Sequence, residues 1–437
     1  MRNKETQIYV CSNCGEEYLR WQGKCENCKS WNTLKEFKTN LPSSSKKELT
    51  DLNPVKISEI KIENFKRTPT GFEEMDRVLG GKENVYGFVP GSVVLVGGDP
   101  GIGKSTLLLQ VASNLPNILY ASAEESLEQI KLRYDRIKQK QNKQEIELVT
   151  ETNIDTILKL AVKKHYDFLV IDSIQTVYSE DFPSTPGSIV QVRECAMKLQ
   201  KLAKKQNTTV ILVGHVTKEG TVAGPKTLEH LVDVVLYLEG ERFSQNRILR
   251  SIKNRFGTTD EIGIFEMMEN GLIEVKDPSQ IFLHEFKPVA GCVVTCLMEG
   301  SRPILAEVQA LTNPTNFGYP QRRVNGFDLN RLQLIIAVIS RRTSINLSNY
   351  DIFVNFVGGM ETKEPAADLA VALAIITSVK NLKLDEKYCI FGELGLSGEI
   401  RRVTKEKKRT VEAKRFNFTK FIQNKNINHI IKEIQNV

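Results

Sequence analysis

The sequence predicts an α/β protein with a mostly parallel sheet, and three observations carry that prediction. Between residues 65 and 275, apolar strand-like runs alternate with helical patterns: SVVLVGG, NILYASAEE, YDFLVIDS, TTVILVGH and VDVVLYLEG. The first of these runs leads straight into a glycine-rich loop that opens a helix. After Asp277-Pro278 the pattern changes to β-rich runs (GCVVTCLMEG, PILAEVQALT) and then long apolar helices (LQLIIAVISRR, ADLAVALAIITSVK). Strands alternating with helices imply a largely parallel sheet covered on both faces, and the later segment implies a separate α+β domain.

A chain of 437 residues exceeds one ordinary core. The expected division is a cysteine unit over 1–37, a polar linker over 38–64 (TNLPSSSKKELTDLNP), a nucleotide-binding core over 65–278 and an α+β domain over 279–437. With 41% hydrophobic and 26% charged residues the composition is that of a globular protein. The N-terminal MRNKETQIYV lacks the apolar run of a secretory signal, and stretches such as Leu332 to Ile339 are too short to cross a bilayer. A cytoplasmic protein without a membrane partner is expected. The net charge of +7 is unevenly placed: residues 401–437 hold 11 Lys and Arg against three Glu, an excess of +8. Such a tail is either a solvated face or a polyanion-binding surface, and charge alone does not decide.

Four of the eight cysteines follow the pattern Cys11-x2-Cys14, ten residues, Cys25-x2-Cys28. Two Cys-x-x-Cys turns offer four thiolates to one tetrahedral Zn²⁺, and a segment too small for its own core would draw its folding energy from the metal. A thioredoxin-like redox pair is the rival, and no βαβ pattern flanks it. The chain's only tryptophans, Trp21 and Trp31, belong to this unit. They either pack its small core or stack on bases or a partner. Cys195, Cys292, Cys296 and Cys389 lie in apolar surroundings and read as packing.

The run Gly98-Asp99-Pro100-Gly101-Ile102-Gly103-Lys104-Ser105-Thr106 matches G-x-x-x-x-G-K-[ST] in the strand–loop–helix setting that this motif requires. Its backbone N–H groups and helix N-terminus would cradle the phosphates of ATP, with Lys104 on the β- and γ-phosphates and Ser105 on Mg²⁺. Asp172 ends the apolar run Phe168-Leu169-Val170-Ile171 and is placed to lie beside the Mg²⁺; a strand-end Asp without that role is the alternative. Glu124 and Glu125 follow another strand, and either is suited to polarise the attacking water. Glu in a first helical turn also offsets the macrodipole, and the residues alone do not choose. His215 ends the run TTVILVGH, where a polar group can sense the γ-phosphate. The run Thr217 to Lys226 beyond it is either a ligand-touching loop or a plain linker.

These residues closely resemble the RadA (Sms) family of bacterial DNA-repair proteins. The resemblance covers essentially the whole chain: the four-cysteine finger, GGDPGIGKST, FLVIDS, GHVTKEGTVAGPKTLEH and the pentapeptide Lys253-Asn254-Arg255-Phe256-Gly257. It implies a RecA-like ATPase core forming a homo-hexameric ring. It also implies binding of single-stranded and branched DNA, helicase-type branch migration, and work beside a recombinase of the RecA type. By the family pattern Glu124 is the water-polarising base and His215 the γ-phosphate sensor. Lys253 and Arg255 are fingers that reach a neighbouring subunit's ATP.

The last domain resembles the proteolytic domain of Lon. In Gly358-Gly359-Met360-Glu361-Thr362-Lys363-Glu364-Pro365-Ala366, the position of Lon's nucleophilic serine falls on Ala366. Alanine has no hydroxyl, so Lys405 and Lys407, in the region of Lon's lysine, have nothing to activate. A ring-forming, DNA-contacting scaffold is expected in place of a protease. An ATP-driven regulatory ring is the other alternative to a DNA motor.

Overall fold

The computed structural model describes residues 6–11, 16–39, 56–59, 66–82, 85–137, 144–182, 184–215, 228–240, 245–283, 286–315, 319–422 and 426–435. Cys14, most of the expected linker and the run 217–226 lie outside the described residues. The chain forms two compact units, Met1–Glu274 and Val275–Val437.

The first unit begins with a three-stranded antiparallel sheet, in which β1 (Thr6–Cys11) lies between β2 (Glu17–Tyr18) and β3 (Leu34–Thr39). Its core is small: Cys11, Cys25 and Leu34, with Tyr9, Tyr18 and Cys28 against them. Trp21 and Trp31 are not in it. Their relative exposures are 59% and 69%, so packing the mini-core, one of the two roles expected for them, is not what they do.

The core follows in chain order as α1 (Glu73–Leu79), β4 (Val93–Gly98), α2 (Lys104–Ala112), β5 (Ile118–Ser122), α3 (Leu127–Ile137), β6 (Ile146–Thr150) and α4 (Ile154–Lys164). Then come β7 (Phe168–Asp172), α5 (Ile189–Gln206), β8 (Thr209–His215), β9 (Val234–Glu239), β10 (Asn246–Asn254), β11 (Ile262–Met268) and β12 (Gly271–Glu274). The nine strands form one sheet in the order β12-β11-β10-β9-β4-β8-β7-β5-β6. From β9 to β6 every pairing is parallel, whereas β10, β11 and β12 extend the sheet as antiparallel hairpins. The mostly parallel sheet is as expected. The antiparallel extension was hidden because NRILRSIKN and GIFEMM alternate polar and apolar residues too weakly to show orientation.

Side chains of successive strand residues point to opposite faces, and the sheet uses both. Val94, Val96, Tyr120, Val170, Ile211 and Val213 pack with α1, α2 and α3. Val93, Leu95, Leu119, Leu169, Ile171 and Leu212 pack with α4 and α5. This two-sided burial is why the strands read as unbroken apolar runs. The helices end by ordinary local chemistry. Asn153 caps α4 by accepting from the N–H groups of Asp155 and Thr156, and Ser188 caps α5 by accepting from that of Gln191.

In the second unit, after a short helix α6 (Pro278–Leu283), β13 (Cys292–Glu299), β14 (Arg302–Pro314), β15 (Arg322–Asn325) and β16 (Tyr350–Phe356) form a sheet in the order β13-β14-β16-β15. The helices are α7 (Leu329–Arg342), between β15 and β16, and then α8 (Asp368–Lys380), α9 (Glu406–Arg415) and α10 (Ile427–Gln435). Helix α8 is buried from Asp368 through Thr377, which explains an apolar run without amphipathic period. Ala366, just before it, is also buried.

The basic segment 401–437 is not one open cationic face. Arg409 is fully buried, bonded to Glu364 and to the carbonyls of Thr404 and Cys296. Arg401, Arg415 and Lys420 pair with Glu399, Asp277 and Asp385. Lys405 donates to the Gly300 carbonyl at 2.7 Å.

Arg331 on α7 clasps the buried Asp368 carboxylate through Nε at 2.5 Å and Nη2 at 2.7 Å. Burial pushes the Asp368 carboxyl up, and Arg331 opposes the rise. Arg331→Ala leaves that carboxylate unpaired, and a cost of about 3–5 kcal/mol is expected for residues 275–437. A carboxyl raised above its unfolded value loses its stabilising protonation as pH rises, and the variant raises it further. Its deficit relative to wild type, read by pulse proteolysis of the full chain, therefore narrows as pH falls toward the carboxylate range. An equal deficit at acidic and alkaline pH would assign the loss to packing.

Candidate nucleotide and metal sites

Strand β4 is fixed on both sides by parallel partners and ends at Gly98, where the phosphate loop begins. Gly98 and Gly103 have φ of 152° and 113°, and a Cβ on Gly98 would lie 2.5 Å from the Leu238 carbonyl oxygen. Only glycine fits there. Gly103 precedes α2 without a side-chain cap, so the first N–H groups of that helix remain for an anion. The Lys104 ammonium folds back into the loop, 2.9 Å from the Gly98 carbonyl and 3.0 Å from that of Asp99. Burial pushes its pKa down, while the carboxylates of Asp172, Glu124 and Asp99 oppose that shift.

Sheet register brings the remaining groups to this loop. His215 pairs with Gly98 across β8 and β4, and Asp172 pairs with Ser122 across β7 and β5. Tyr120 donates to Asp172 Oδ2 at 2.6 Å, which holds the carboxylate. Two residues past Ser122, Glu124 accepts from the Ser173 hydroxyl and lies 3.4 Å from His215 Nε2. That distance is long for a hydrogen bond, and among the described residues His215 Nε2 has no hydrogen-bond partner, so this is a near approach only. It is nonetheless the main influence holding the Glu124 carboxyl below its usual range; the Ser173 hydroxyl adds to it, and burial opposes. Glu125 faces elsewhere, paired with Arg133.

The structure thus gathers Lys104, Glu124, Asp172 and His215 at the carboxyl ends of parallel strands. An orphaned, buried imidazole nitrogen and a buried ammonium converging there suit a polyphosphate. Ser105, in the first turn of α2, and Asp172 are the side chains that would hold Mg²⁺, which would neutralise phosphate charge there. Sequence reasoning missed Tyr120 and Arg247. Arg247 on β10 donates from Nε to the Ile102 carbonyl at 3.1 Å and braces the loop. A tyrosine inside an apolar strand was the available signal, because a buried phenol needs an acceptor.

Lys253 and Arg255 lie elsewhere. Lys253 pairs with Val235, three positions before the Leu238 that faces Gly98, so it sits about 10 Å down the strands from the loop. Its ammonium donates to the carbonyls of Glu229 at 2.6 Å and Val232 at 2.9 Å. Arg255, half exposed, reaches Asp233 Oδ1 at 3.0 Å. Neither is part of its own chain's phosphate site.

In the finger, Cys11, Cys25 and Cys28 form the one group of three or more candidate metal ligands among the described residues. The Cys11 and Cys28 sulfurs are 3.7 Å apart, close to the ~3.8 Å edge of a tetrahedron with Zn–S of about 2.3 Å. The Tyr18 hydroxyl lies 3.2 Å from the Cys25 sulfur. The thiols fit Zn²⁺.

Three family models match stretches of the chain: "Rubredoxin metal binding domain" residues 9–36, "AAA domain" 81–221 and "Subunit ChlI of Mg-chelatase" 329–426. DNA repair protein RadA of Streptococcus pyogenes serotype M3 is 48% identical over 430 residues, covering 97% of this chain and 93% of its own length. The chain belongs to the RadA family. RadA of Listeria monocytogenes is 46% identical over 435 residues (97% and 93% covered), and RadA of Bacillus subtilis 45% over 430 (96% and 92%). The RadB recombinase structure is 23% identical with a TM-score of 0.37, covering 47% of this chain and 99% of its own. As a RadA-family protein the chain is an ATPase that uses ATP and Mg²⁺ and carries Zn²⁺, with a mostly parallel α/β nucleotide-binding core and a C-terminal Lon-like domain that matches the ChlI model. None of its described helices is long and apolar enough to cross a membrane.

Two outcomes test the sites. His215→Ala removes the main influence that keeps Glu124 ionised, so the acid limb of the kcat–pH profile should move to higher pH. An unmoved limb would detach His215 from Glu124. Cys25→Ser should abolish stoichiometric zinc, read by metal analysis, while the 93–274 sheet keeps its far-UV signal.

Proposed function

We propose that this RadA-family chain is a DNA-dependent, helicase-type motor that drives branch migration of recombination intermediates. It binds single-stranded and branched DNA as a homo-hexameric ring in the cytoplasm, beside a recombinase of the RecA type. The relatives' name, DNA repair protein, supports the biological setting. In this reading the finger spans 1–37, the linker 38–64, the motor 65–278 and an inactive Lon-like scaffold 279–437.

The observation that carries the reading is the separation of the two cationic sets within one chain. The loop 98–106 and Lys104 bind ATP, Asp172 holds the Mg²⁺, Glu124 orients water and His215 senses the γ-phosphate. Lys253 and Arg255 sit too far down the sheet to serve their own loop, so they act on a neighbour's ATP. A transferring phosphoryl group gains ~10³–10⁵ in rate from such a finger, and placing it in trans ties hydrolysis to ring geometry. A protease reading has no nucleophile, because Ala366 is buried and bears no hydroxyl.

Single-stranded DNA should stimulate ATP turnover of the wild type, and Lys104→Ala should abolish it. Arg255→Ala should bind ATP normally yet hydrolyse it poorly, because the lost charge acts on the transition state. Mixing the two variants should restore some turnover, since a mixed ring contains interfaces with an intact loop and an intact finger. No recovery in rings shown to be mixed would overturn the trans arrangement; no stimulation by DNA would favour a regulatory ring.

A further inference from the structure

The finger holds the chain's two tryptophans, and it exposes both. An ideal Cβ on Gly23 would lie 3.7 Å from the Trp31 ring and 4.0 Å from that of Trp21, so the two indoles flank one glycine. The backbone holds this arrangement: Lys24 bridges Trp31, and the Asn32 N–H donates to the Gly23 carbonyl at 2.7 Å. Lys24 Nζ stands 5.4 Å from the Trp31 ring centre. Of the four charged residues between Arg20 and Trp31, Arg20, Lys24 and Lys29 are basic and only Glu26 is acidic.

Two smaller aromatics of the finger, Tyr9 and Tyr18, take places against its core. The indoles are therefore spared from packing. Two planar rings flanking one glycine, with an ammonium over one and further cations close in sequence, match unpaired nucleobases on a phosphate backbone. Bases supply π faces, and the phosphates supply the counter-charge. An apolar protein groove would not match the cations.

We propose that Trp21 and Trp31 form a stacking platform for bases of single-stranded DNA, with Lys24 beside them for the backbone. This rests on the DNA-binding reading above, and the test separates the two.

Because no other tryptophan is present, indole emission of the full-length, zinc-loaded protein reports on the finger alone. Poly(dT) should quench that emission, whereas an abasic phosphodiester polymer of the same charge should not. Trp21→Ala and Trp31→Ala should each weaken poly(dT) binding, read by anisotropy of labelled DNA, by at least about fivefold, the low end of one stacked base. Trp31→Phe should recover part of the loss, and unchanged zinc content would show that the finger remains folded. Binding of poly(dT) with unaltered emission and unchanged affinity in both alanine variants would overturn the platform while leaving DNA binding in place. Equal quenching by the abasic polymer would overturn it too. Failure of the wild type to bind poly(dT) at all would overturn the DNA-binding reading itself.

Discussion

Everything at the nucleotide site depends on the parallel ladder β5-β7-β8-β4. Its hydrogen bonds pair Ser122 with Asp172 and His215 with Gly98, so four strands finish at one edge. Parallel strands all present their carboxyl ends on the same side, and helices cover both faces, so that edge is the only place where loops from four strands can converge. The ladder is held by apolar burial on either face. The site's charges contribute little to holding it together. Lys104 is buried against the very carbonyls that would prefer water, and its opposing carboxylates are all site residues. Such a cluster is poised for an anion.

The same strand that carries the phosphate loop is tied at its other end to the Lys253–Gly257 turn. Asp233 accepts from the Val93 N–H through Oδ2 at 3.0 Å and holds Arg255 through Oδ1. Asn254 donates to the Val78 and Leu79 carbonyls, and Arg67 donates to the Phe256 carbonyl at 2.6 Å. The turn is thereby a braced feature of the core. If Arg255 acts on a neighbour's nucleotide, it must leave Asp233 or share with it. Under the proposed mechanism, Asp233 then sets how readily the finger is released.

Much of this could be read from residues because the chemistry is local. A phosphate loop needs its glycines, lysine and hydroxyl in one contiguous run, and two Cys-x-x-Cys turns ten residues apart offer four thiolates to one ion. Partnerships made across the sheet could not be read that way. Glu124 and Glu125 are neighbours in sequence, and only the fold turns one toward His215 and the other toward Arg133. The basic C-terminal segment stayed undecided in the sequence for the same reason. Its net charge is a property of composition, but Arg409 spends its charge inside the domain on Glu364. The antiparallel strands β10 to β12 were illegible because orientation leaves no mark on a short alternating run.

The finger differs from the two units' cores in what holds it, and that difference governs how its surface should be interpreted. In the sheet domains large apolar side chains are buried because their burial supplies the stability. A unit whose core amounts to Cys11, Cys25, Leu34 and their few neighbours cannot rely on that. Zinc–thiolate bonds supply its folding energy instead. Side chains outside the metal's reach are then released from packing duty, and an indole left in water costs solubility without adding stability. Two such indoles flanking one glycine are not placed there by packing into the finger's described core. Under the proposed stacking role the covering group is a nucleobase, and in a metal-held module the exposed aromatics then carry information about function that the ligands do not.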